Sequence, residues 1–229
     1  MVPAAGSGSR MNAAVPKQYL TLLGKTILER TLERLASVEE IKGIMVAIAG
    51  DDEHWAGTRL PEGVEVCTVV GGAMRHQSVL NALRALKNNL PAREWILVHD
   101  AARPCVHPTD ISRLITALGD HEVGGLLGVP VADTMKRVGK GGAVMGSVDR
   151  DGLWHALTPQ MFRLGTLIRA IETAQEGGCA ITDESSAVEY TGLQPKVIEG
   201  RRDNIKVTTA GDLRLAGQFL NCQEKETAP

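Results

Sequence analysis

Short apolar runs alternate with amphipathic helical patterns along the first half of the chain, and this alternation limits the possible folds more than any other feature of the sequence. The predicted strands are 44–49, 64–70 and 95–98, and the predicted helices are 26–35, 78–86 and 110–118. Continuous apolar runs of this length are typical of strands that are covered on both faces. The alternation predicts an α/β fold with a mostly parallel, twisted sheet, helices on both faces, and ligands at the carboxyl ends of the strands.

The second half of the chain contains a hairpin signal. Residues 134–138 and 143–148 flank Gly139-Lys140-Gly141-Gly142, and both flanks are polar enough to be exposed. A two-stranded ribbon is only marginally stable in water, so we expect a protruding β-arm at about residues 132–152 that a second copy of the chain covers. The remaining predicted elements are strands at 126–131, 196–198 and 205–207 and helices at 164–175, 183–190 and from Asp212 onward, the last capped by Thr209.

Length, charge and composition exclude several classes of protein. A chain of 229 residues suits one domain spanning 1–229 that needs no disulfide or structural metal. A net charge of −2 and 3% aromatic residues argue against nucleic-acid binding, and no apolar run is long enough to span a membrane. The cysteines, Cys67, Cys105, Cys179 and Cys222, form no C-x-x-C pair. Two disulfides are the alternative to free thiols in the cytoplasm, the location that we predict.

The first segment that could carry chemistry is a glycine-rich loop. It runs from Ala4 through Gly6 and Gly8 to Arg10, and Lys17 follows it. Two glycines spaced by one residue let backbone N–H groups converge on phosphate oxygens, and the two cations would stabilise the negative charge of a transferring phosphate. The alternative is a glycine turn with two solvated cations.

Two better-known phosphate motifs are absent from the chain. A dinucleotide-binding fingerprint needs a third glycine where Met11 stands, and a Walker A loop ending at Gly24-Lys25-Thr26 needs one where Tyr19 stands. A nicotinamide-dependent dehydrogenase is therefore a poor hypothesis.

A second loop, Gly71-Gly72-Ala73-Met74-Arg75 with Ser78, lies between a predicted strand and a predicted helix. Backbone groups in such a loop could hydrogen-bond to the edge of a base, and a serine hydroxyl can donate or accept. A flexible turn with no ligand is an equally good interpretation of this loop by itself.

A third segment, His99-Asp100-Ala101-Ala102-Arg103, follows the buried strand 95–98. A carboxylate at the end of such a strand is costly unless it is paired or binds a cation, and Mg²⁺ needs only one or two carboxylates beside substrate phosphates. Arg103 could bind a phosphate, or it could form a local ion pair with Asp100. We expect His99 to be a packed residue, and no zinc motif is present.

Charged and hydroxyl residues near predicted strand ends form a fourth set. It comprises Asp133-Thr134, Asp149-Arg150, Thr182-Asp183-Glu184 and Arg202-Asp203-Asn204-Ile205-Lys206. Each segment is unremarkable alone, because charges at strand ends are usually solvated. Arg150 is of interest because an arm that crosses to a second subunit would let it complete the partner's site.

Taken together, these segments resemble the 2-C-methyl-D-erythritol 4-phosphate cytidylyltransferases of the non-mevalonate isoprenoid pathway, over essentially the whole chain. The matching segments are 3–11, 16–19, Val98-His99-Asp100-Ala101-Ala102-Arg103-Pro104, 133–136, 149–150, Leu153-Trp154-His155-Ala156-Leu157-Thr158-Pro159-Gln160, 181–184 and 203–208. The first would fit many nucleotidyltransferases, whereas the two written in full are far more specific.

The resemblance implies a Rossmann-like nucleotidyltransferase fold, a homodimer with exchanged β-arms, CTP and a small polyol phosphate as substrates, and Mg²⁺ or another divalent cation. Carried over residue by residue, it implies catalytic Arg10, Lys17, Arg150 and Lys206; nucleotide-binding Ala4, Ala5, Gly6, Gly8, Arg10, Lys17, Gly72, Ala73, Ser78 and Asp100; substrate-binding Ala101, Arg103, Thr134, Arg150, Thr182 and Lys206; and metal-binding Asp100 and Asp203.

Two departures from the family pattern give expectations of their own. Family members usually have a β-strand before Val2, so a sheet built from this sequence is expected to lose a central strand. An acidic pair often follows the two glycines, but here it is Ala73-Met74, so a cytosine contact there is expected to use the backbone.

The implied reaction is in-line attack of a substrate phosphate oxygen on the α-phosphorus of CTP. A phosphate monoester with a second pKa near ~6 is already mostly dianionic at pH 7, so no general base is needed. One alternative is a relative that uses ribitol 5-phosphate or another polyol phosphate. Another is a catalytically silent nucleotide-binding dimer.

Overall fold

The computed structural model describes residues 1–6 and 15–227. Its strands are β1 Val2–Pro3, β2 Thr21–Leu22, β3 Lys25–Thr26, β4 Gly43–Ile48, β5 Glu65–Val70, β6 Trp95–Val98, β7 Gly124–Pro130, β8 Met135–Val138, β9 Val144–Val148, β10 Trp154–Arg163 and β11 Lys196–Glu199. Its α-helices are α1 Ile27–Ala36, α2 Arg75–Lys87, α3 Pro108–Leu118, α4 Leu164–Glu176, α5 Glu184–Tyr190 and α6 Ala210–Thr227. The predicted α/β fold is confirmed.

The central sheet is mostly parallel and has two parts that Met1 connects. One part has the order β1-β4-β5 and the other β11-β7-β10-β6, with β10 antiparallel to both neighbours. The Met1 backbone nitrogen donates to Leu97 O at 2.7 Å, and His99 N donates to Met1 O at 3.0 Å. The expected loss of the central strand is therefore wrong, because Val2–Pro3 forms a short parallel strand against β4.

The predictions failed at two elements that depend on distant partners. Strand β10 was not predicted because a proline in a run argues against a central strand. Its register against β7 shifts between Ala156 and Gln160, and this irregularity accommodates Pro159. Residues 205–207 were predicted as a strand but form none with the described part of the chain. The Val207 N–H donates to Ala102 O at 2.8 Å, whereas the Ile205 N–H donates locally to Asp203 O at 2.7 Å, so no ladder of strand hydrogen bonds develops.

Local signals predicted helix starts well. The Thr26 hydroxyl accepts from Glu29 N at 3.1 Å and the Glu29 carboxylate accepts from Thr26 N at 2.6 Å, which is a complete capping box. Thr209 and Asp212 make the corresponding reciprocal bonds at 2.8 and 3.2 Å. Helix α2 begins at Arg75, three residues before the predicted start, and this places its first turn against the candidate site.

The predicted hairpin is present as strands β8 and β9. They pair antiparallel, with Met135 opposite Val148. Gly141 and Gly142 in the turn have φ of +82° and +84°, a region that favours glycine. Val144 and Met145 are 62% and 70% exposed, so the ribbon leaves apolar side chains uncovered within this chain. That a second subunit covers them, and that residues 1–229 form one domain, stay predictions.

The four cysteines are free thiols, so the alternative of two disulfides is wrong. Cys105 is fully buried, whereas Cys67 and Cys222 are exposed. Within the described ranges, none of the helices has the length and apolarity to cross a bilayer.

Candidate active site

A cavity of about 350 Å³ opens where the carboxyl ends of β1, β5 and β6 and the segment before α6 come together. Its lining residues are Pro3, Ala4, Ala5, Gly6, Lys17, Gln18, Gly72, Ala73, Met74, Arg75, Ser78, Asp100, Ala101, Ala102, Lys206 and Thr208. Both predicted glycine loops and the predicted Asp100 segment contribute to it. The fold therefore brings the separate sequence motifs to one site, at the sheet edge where α/β folds bind ligands.

Close packing between the two loops explains the glycine pair. A Cβ atom on Gly71 would lie 2.5 Å from the Cβ of Ala5 and 2.8 Å from the Oγ of Ser78. The buried Ser78 hydroxyl accepts from Gly72 N at 3.0 Å, and its own proton can reach Gly72 O or Met74 O at 3.3 or 3.4 Å. Ser78 thus holds the loop backbone in place, and its predicted contact with a base stays a prediction.

Asp100 is the only carboxylate among the lining residues that the structure describes, and three cations surround it. Arg75 reaches Oδ1 through Nε at 3.0 Å and Nη2 at 2.9 Å, Lys206 Nζ lies 2.8 Å from Oδ2, and Arg103 Nε lies 3.7 Å from Oδ2. Burial opposes ionisation of Asp100, but the charges of Arg75, Lys206 and Arg103 outweigh it and hold the pKa of this carboxyl well below its usual range. The predicted Asp100–Arg103 ion pair is present, as the weakest of the three.

Arg75 also binds a second carboxylate, that of Glu184. Its Nη1 and Nη2 donate to Oε1 and Oε2 of Glu184 at 2.6 and 3.0 Å. Burial raises the pKa of Glu184, and the Arg75 charge counteracts that effect. Sequence reasoning assigned no role to either residue. They stand 109 positions apart, and no local pattern relates them.

Lys17 begins a short 3₁₀ helix, Lys17–Tyr19, at one wall of the cavity. Its Nζ lies 3.4 Å from Val207 O, so it faces the segment that carries Lys206. The neighbouring Gln18 is buried and donates to Ala4 O at 2.6 Å, which fixes the end of β1 beside it. The predicted residues Gly8 and Arg10 lie outside the described residues.

Arg103 does not line the cavity but holds the segment that does. Its Nη1 donates to Asn204 O at 2.7 Å, and Asn204 Nδ2 donates to Thr158 O at 2.8 Å. The first of these bonds is partly buried and the second is buried, and together they anchor the backbone two residues before Lys206. Arg103 therefore stabilises the backbone that carries Lys206. Its predicted contact with substrate stays a prediction.

His99 is buried and its bonds specify one tautomer. Nε2 lies 3.1 Å from Arg103 O, which only accepts, so Nε2 carries the proton. Nδ1 then accepts from the Thr158 hydroxyl at 3.0 Å, and Thr158 Oγ1 accepts from Asp100 N at 3.1 Å. Burial lowers the pKa of His99 to about 4, so the ring is neutral at pH 7. The expectation of a packed histidine is confirmed.

This neutral histidine predicts a loss of stability in mild acid. The unfolded chain binds a proton at His99 with a pKa of 6.5, whereas the folded chain binds it only near pH 4. The contribution of His99 to the free energy of unfolding is therefore complete above pH 6.5. As the pH falls from 6.5 to 4, this contribution decreases by about 3 kcal/mol. Chemical denaturation across this range measures the loss. His99→Gln will flatten the slope, and His155→Gln, at an exposed position, will not. Parallel slopes for the wild type and His99→Gln would exclude this role.

Besides Arg103, three more residues predicted to hold substrate do not line the cavity of their own chain. Thr134 is exposed at the base of the β8–β9 ribbon. Arg150 is exposed beyond β9, where Nη1 donates to Ala132 O. Thr182 is exposed before α5, and its backbone N–H donates to Ser186 Oγ at 3.1 Å.

The two metal-binding candidates differ in position. Asp203 does not line the cavity, and its Oδ2 accepts from Gln223 Nε2 of α6 at 2.8 Å. Asp100 does line it and is held ionised. The described part of the chain contains no cluster of three His, Cys, Asp or Glu residues that could hold a metal alone. Asp100 nevertheless fits Mg²⁺ that also binds substrate phosphates, because its Oδ2 has one hydrogen bond and spare acceptor capacity.

Six lining residues had no assigned role from sequence. They are Pro3, Gln18, Met74, Arg75, Ala102 and Thr208. Each lies within two positions of a predicted residue, which was the available signal. The first turn of α2 brings Arg75 to the cavity because that helix begins earlier than its apolar pattern suggested.

Known proteins resemble this chain along nearly its whole length. Residues 1–222 match the family model IspD, 2-C-methyl-D-erythritol 4-phosphate cytidylyltransferase. A protein of that name from Vibrio atlanticus is 49% identical over 226 residues, covering 99% of this chain and 96% of the relative. A crystal structure of the Francisella tularensis protein of that name superposes with a TM-score of 0.82 at 36% identity, covering 95% of this chain and 97% of that one. A 4-diphosphocytidyl-2C-methyl-D-erythritol synthase structure gives a TM-score of 0.83 at 35% identity, covering 96% of each chain.

Proposed function

The chain belongs to the 2-C-methyl-D-erythritol 4-phosphate cytidylyltransferase family, and on that premise we propose that it joins CTP to 2-C-methyl-D-erythritol 4-phosphate. The products are 4-diphosphocytidyl-2-C-methyl-D-erythritol and pyrophosphate. The observation that carries this proposal is the cavity, which two glycine loops line together with Lys17, Lys206, Arg75 and Asp100. A triphosphate needs cations and backbone N–H groups in this arrangement.

The reaction is an in-line displacement at the α-phosphorus of CTP. A phosphate oxygen of the acceptor forms the new P–O bond, and the α–β phosphoanhydride bond breaks to release pyrophosphate. The acceptor is mostly dianionic at pH 7, because its second pKa is near ~6, and no residue needs to remove a proton. The neutral His99 agrees with this, since its two ring nitrogens are occupied by structural bonds.

Catalysis then consists of positioning the two substrates and neutralising their charge. Lys17 and Lys206 bind phosphate oxygens whose charge grows in the transition state, and Arg10 joins them from the first loop. Asp100, together with substrate phosphate oxygens, would hold Mg²⁺ or a similar divalent cation, which would supply further positive charge. Asp203 has no part in this proposal, because its carboxylate faces Gln223.

The nucleotide is read mainly by backbone. Ala4, Ala5 and Gly6 approach the phosphates, and Gly72 and Ala73 bind the cytosine edge with Ser78 behind them. Support comes from the lining of the cavity, where Ala73 and Met74 present no acidic side chain. A backbone contact tolerates this departure from the family pattern.

The acceptor is held partly by a second subunit in this proposal. Arg150 and Thr134 belong to an exposed ribbon with uncovered apolar side chains, which a partner chain would bury. Arg150 then enters the partner's site, while Lys206, Ala101 and Thr182 bind the acceptor from their own chain. Sedimentation will report a dimer, and a monomer at micromolar concentration would contradict this arrangement. A cytoplasmic location is also part of the proposal, in agreement with four free cysteines.

Pyrophosphate release tests the proposed reaction directly. The assay supplies Mg²⁺ and CTP with either 2-C-methyl-D-erythritol 4-phosphate or ribitol 5-phosphate, and a mixture without acceptor is the blank. We expect release with the first acceptor alone. Release with ribitol 5-phosphate alone would show that the acceptor is a different polyol phosphate from the one proposed. If neither acceptor supports release, while CTP still binds, the chain is a silent nucleotide-binding protein.

A further inference from the structure

Glu184 is a buried carboxylate for which the proposed reaction has no use. It is 1% exposed and lies at the first position of α5, behind the wall of the cavity rather than on it. A carboxylate at such depth costs free energy unless it is fully paired, and replacing a buried ion pair by apolar residues is often neutral or stabilising. Its presence therefore calls for a reason other than stability.

Arg75 connects Glu184 to the cavity by presenting two different edges. Its Nη1–Nη2 edge takes both oxygens of Glu184, at 2.6 and 3.0 Å, in the fork geometry that fixes a guanidinium most firmly. Its Nε–Nη2 edge then meets a single oxygen of Asp100, at 3.0 and 2.9 Å. Oδ2 of Asp100 stays available to Lys206 on the cavity side, at 2.8 Å.

We propose that Glu184 is a positioning residue that commits Arg75 to Asp100 and so keeps the Arg75 guanidinium from binding the nucleotide phosphates. With Glu184 in place, Arg75 aims one oxygen of Asp100 and leaves the other oxygen to the cavity. Without it, the freed donors of Arg75 turn to both oxygens of Asp100 or to a triphosphate, and Asp100 is no longer held in its working position. This inference rests on the proposed function, because it assumes phosphates in the cavity.

The Glu184→Gln variant tests the proposal, because glutamine keeps the shape and one acceptor but loses the charge. We expect kcat for pyrophosphate release to fall about 10- to 100-fold, the scale for loss of a group that orients an active-site ligand. CTP affinity, measured by calorimetry without acceptor, will rise about fivefold, since a negative charge is removed near the triphosphate. A residue that merely supports the fold would move kcat and CTP affinity downward together.

Two further variants sharpen the test. Glu172→Gln is the matched control, because Glu172 pairs with Arg84, another arginine of α2, at 2.7 Å and does not line the cavity. We expect kcat and CTP affinity of this variant to equal those of the wild type. Arg75→Lys keeps the charge and loses the fork, and we expect the same fall in kcat. If Glu184→Gln fails to fold, Arg75→Lys still tests whether the contact between Arg75 and Glu184 is needed for kcat.

A double variant separates action through Asp100 from an independent effect. If Glu184 acts through Asp100, the double variant of Glu184→Gln with Asp100→Asn will have the kcat of Asp100→Asn alone. The proposal would be overturned if the two substitutions lowered kcat by independent factors that multiply in the double variant. It would also be overturned if Glu184→Gln alone had the kcat and the CTP affinity of the wild type. A wild type without turnover would instead overturn the proposed function, and calorimetry would still decide about Glu184, since unchanged or weaker CTP binding in the variant contradicts its role.

Discussion

Lys17→Ala will lower kcat for pyrophosphate release by about 10²-fold or more, the scale for loss of one preorganised charge donor. Lys17 lines the same cavity as Asp100, on a short helix that fixes its backbone. The charge that it neutralises grows as the α–β phosphoanhydride bond breaks, so the loss will appear in kcat more than in KM for CTP.

Steady-state kinetics with both substrates saturating measure this loss. Lys87→Ala is the control, because Lys87 is an exposed lysine at the far end of α2 and does not line the cavity. Its kcat will match the wild type. A near-normal kcat for Lys17→Ala would remove Lys17 from the catalytic set.

Asp100→Asn will damage both activity and stability. The amide cannot balance the charges of Arg75, Lys206 and Arg103, and an uncompensated buried charge costs about 3–5 kcal/mol. Because the Arg75 and Lys206 side chains are 29% and 39% exposed, water partly solvates their charges, and we expect a loss of about 3 kcal/mol in the free energy of unfolding, toward the lower end of that range. Loss of this carboxylate from the cavity lining will also lower kcat by about 10²-fold or more.

The stability loss will have a characteristic pH dependence. The pKa of Asp100 is lowered in the folded state, so its contribution is present above the unfolded pKa and is lost as pH falls through the folded value. The difference between the wild type and Asp100→Asn will therefore stay constant from about pH 8 to 5, since an unfolded aspartate has a pKa near 3.9. Denaturant titrations at several pH values measure it.

Asp110→Asn is the matched control for this prediction. Asp110 is equally buried and pairs with Arg113 at 2.8 Å, but it lies on α3 and does not line the cavity. We expect it to lose stability while keeping the kcat of the wild type. If Asp100→Asn likewise lost stability only, Asp100 would be a structural residue and the metal proposal would fail.

Elements whose signals lie within a few residues were predicted correctly. The capping box of Thr26 and Glu29 and the glycine turn of the β8–β9 ribbon depend on neighbours in the chain, and both are present. Strand β10 was missed because its identity depends on pairing with β6 and β7, across a register shift that admits Pro159. The strand predicted at 205–207 was wrong for the converse reason. Its apolar residues suggested a strand, but no strand in the described part of the chain pairs with them.

The features of the candidate site also fall into two groups, those predicted from sequence and those that depend on tertiary contacts. The sequence by itself predicted the α/β class from the alternation of strands and helices. Short motifs whose residue types suit phosphate chemistry singled out the two glycine loops, Lys17 and Asp100, and the family resemblance added Lys206. Only the tertiary structure decided that Arg75 joins Asp100 to Glu184, that Arg103 stabilises the backbone that carries Lys206, and that Asp203 faces α6 instead of the cavity. The physical reason is that an ion pair depends on where packing places two side chains, and residues 109 positions apart carry no local trace of that contact.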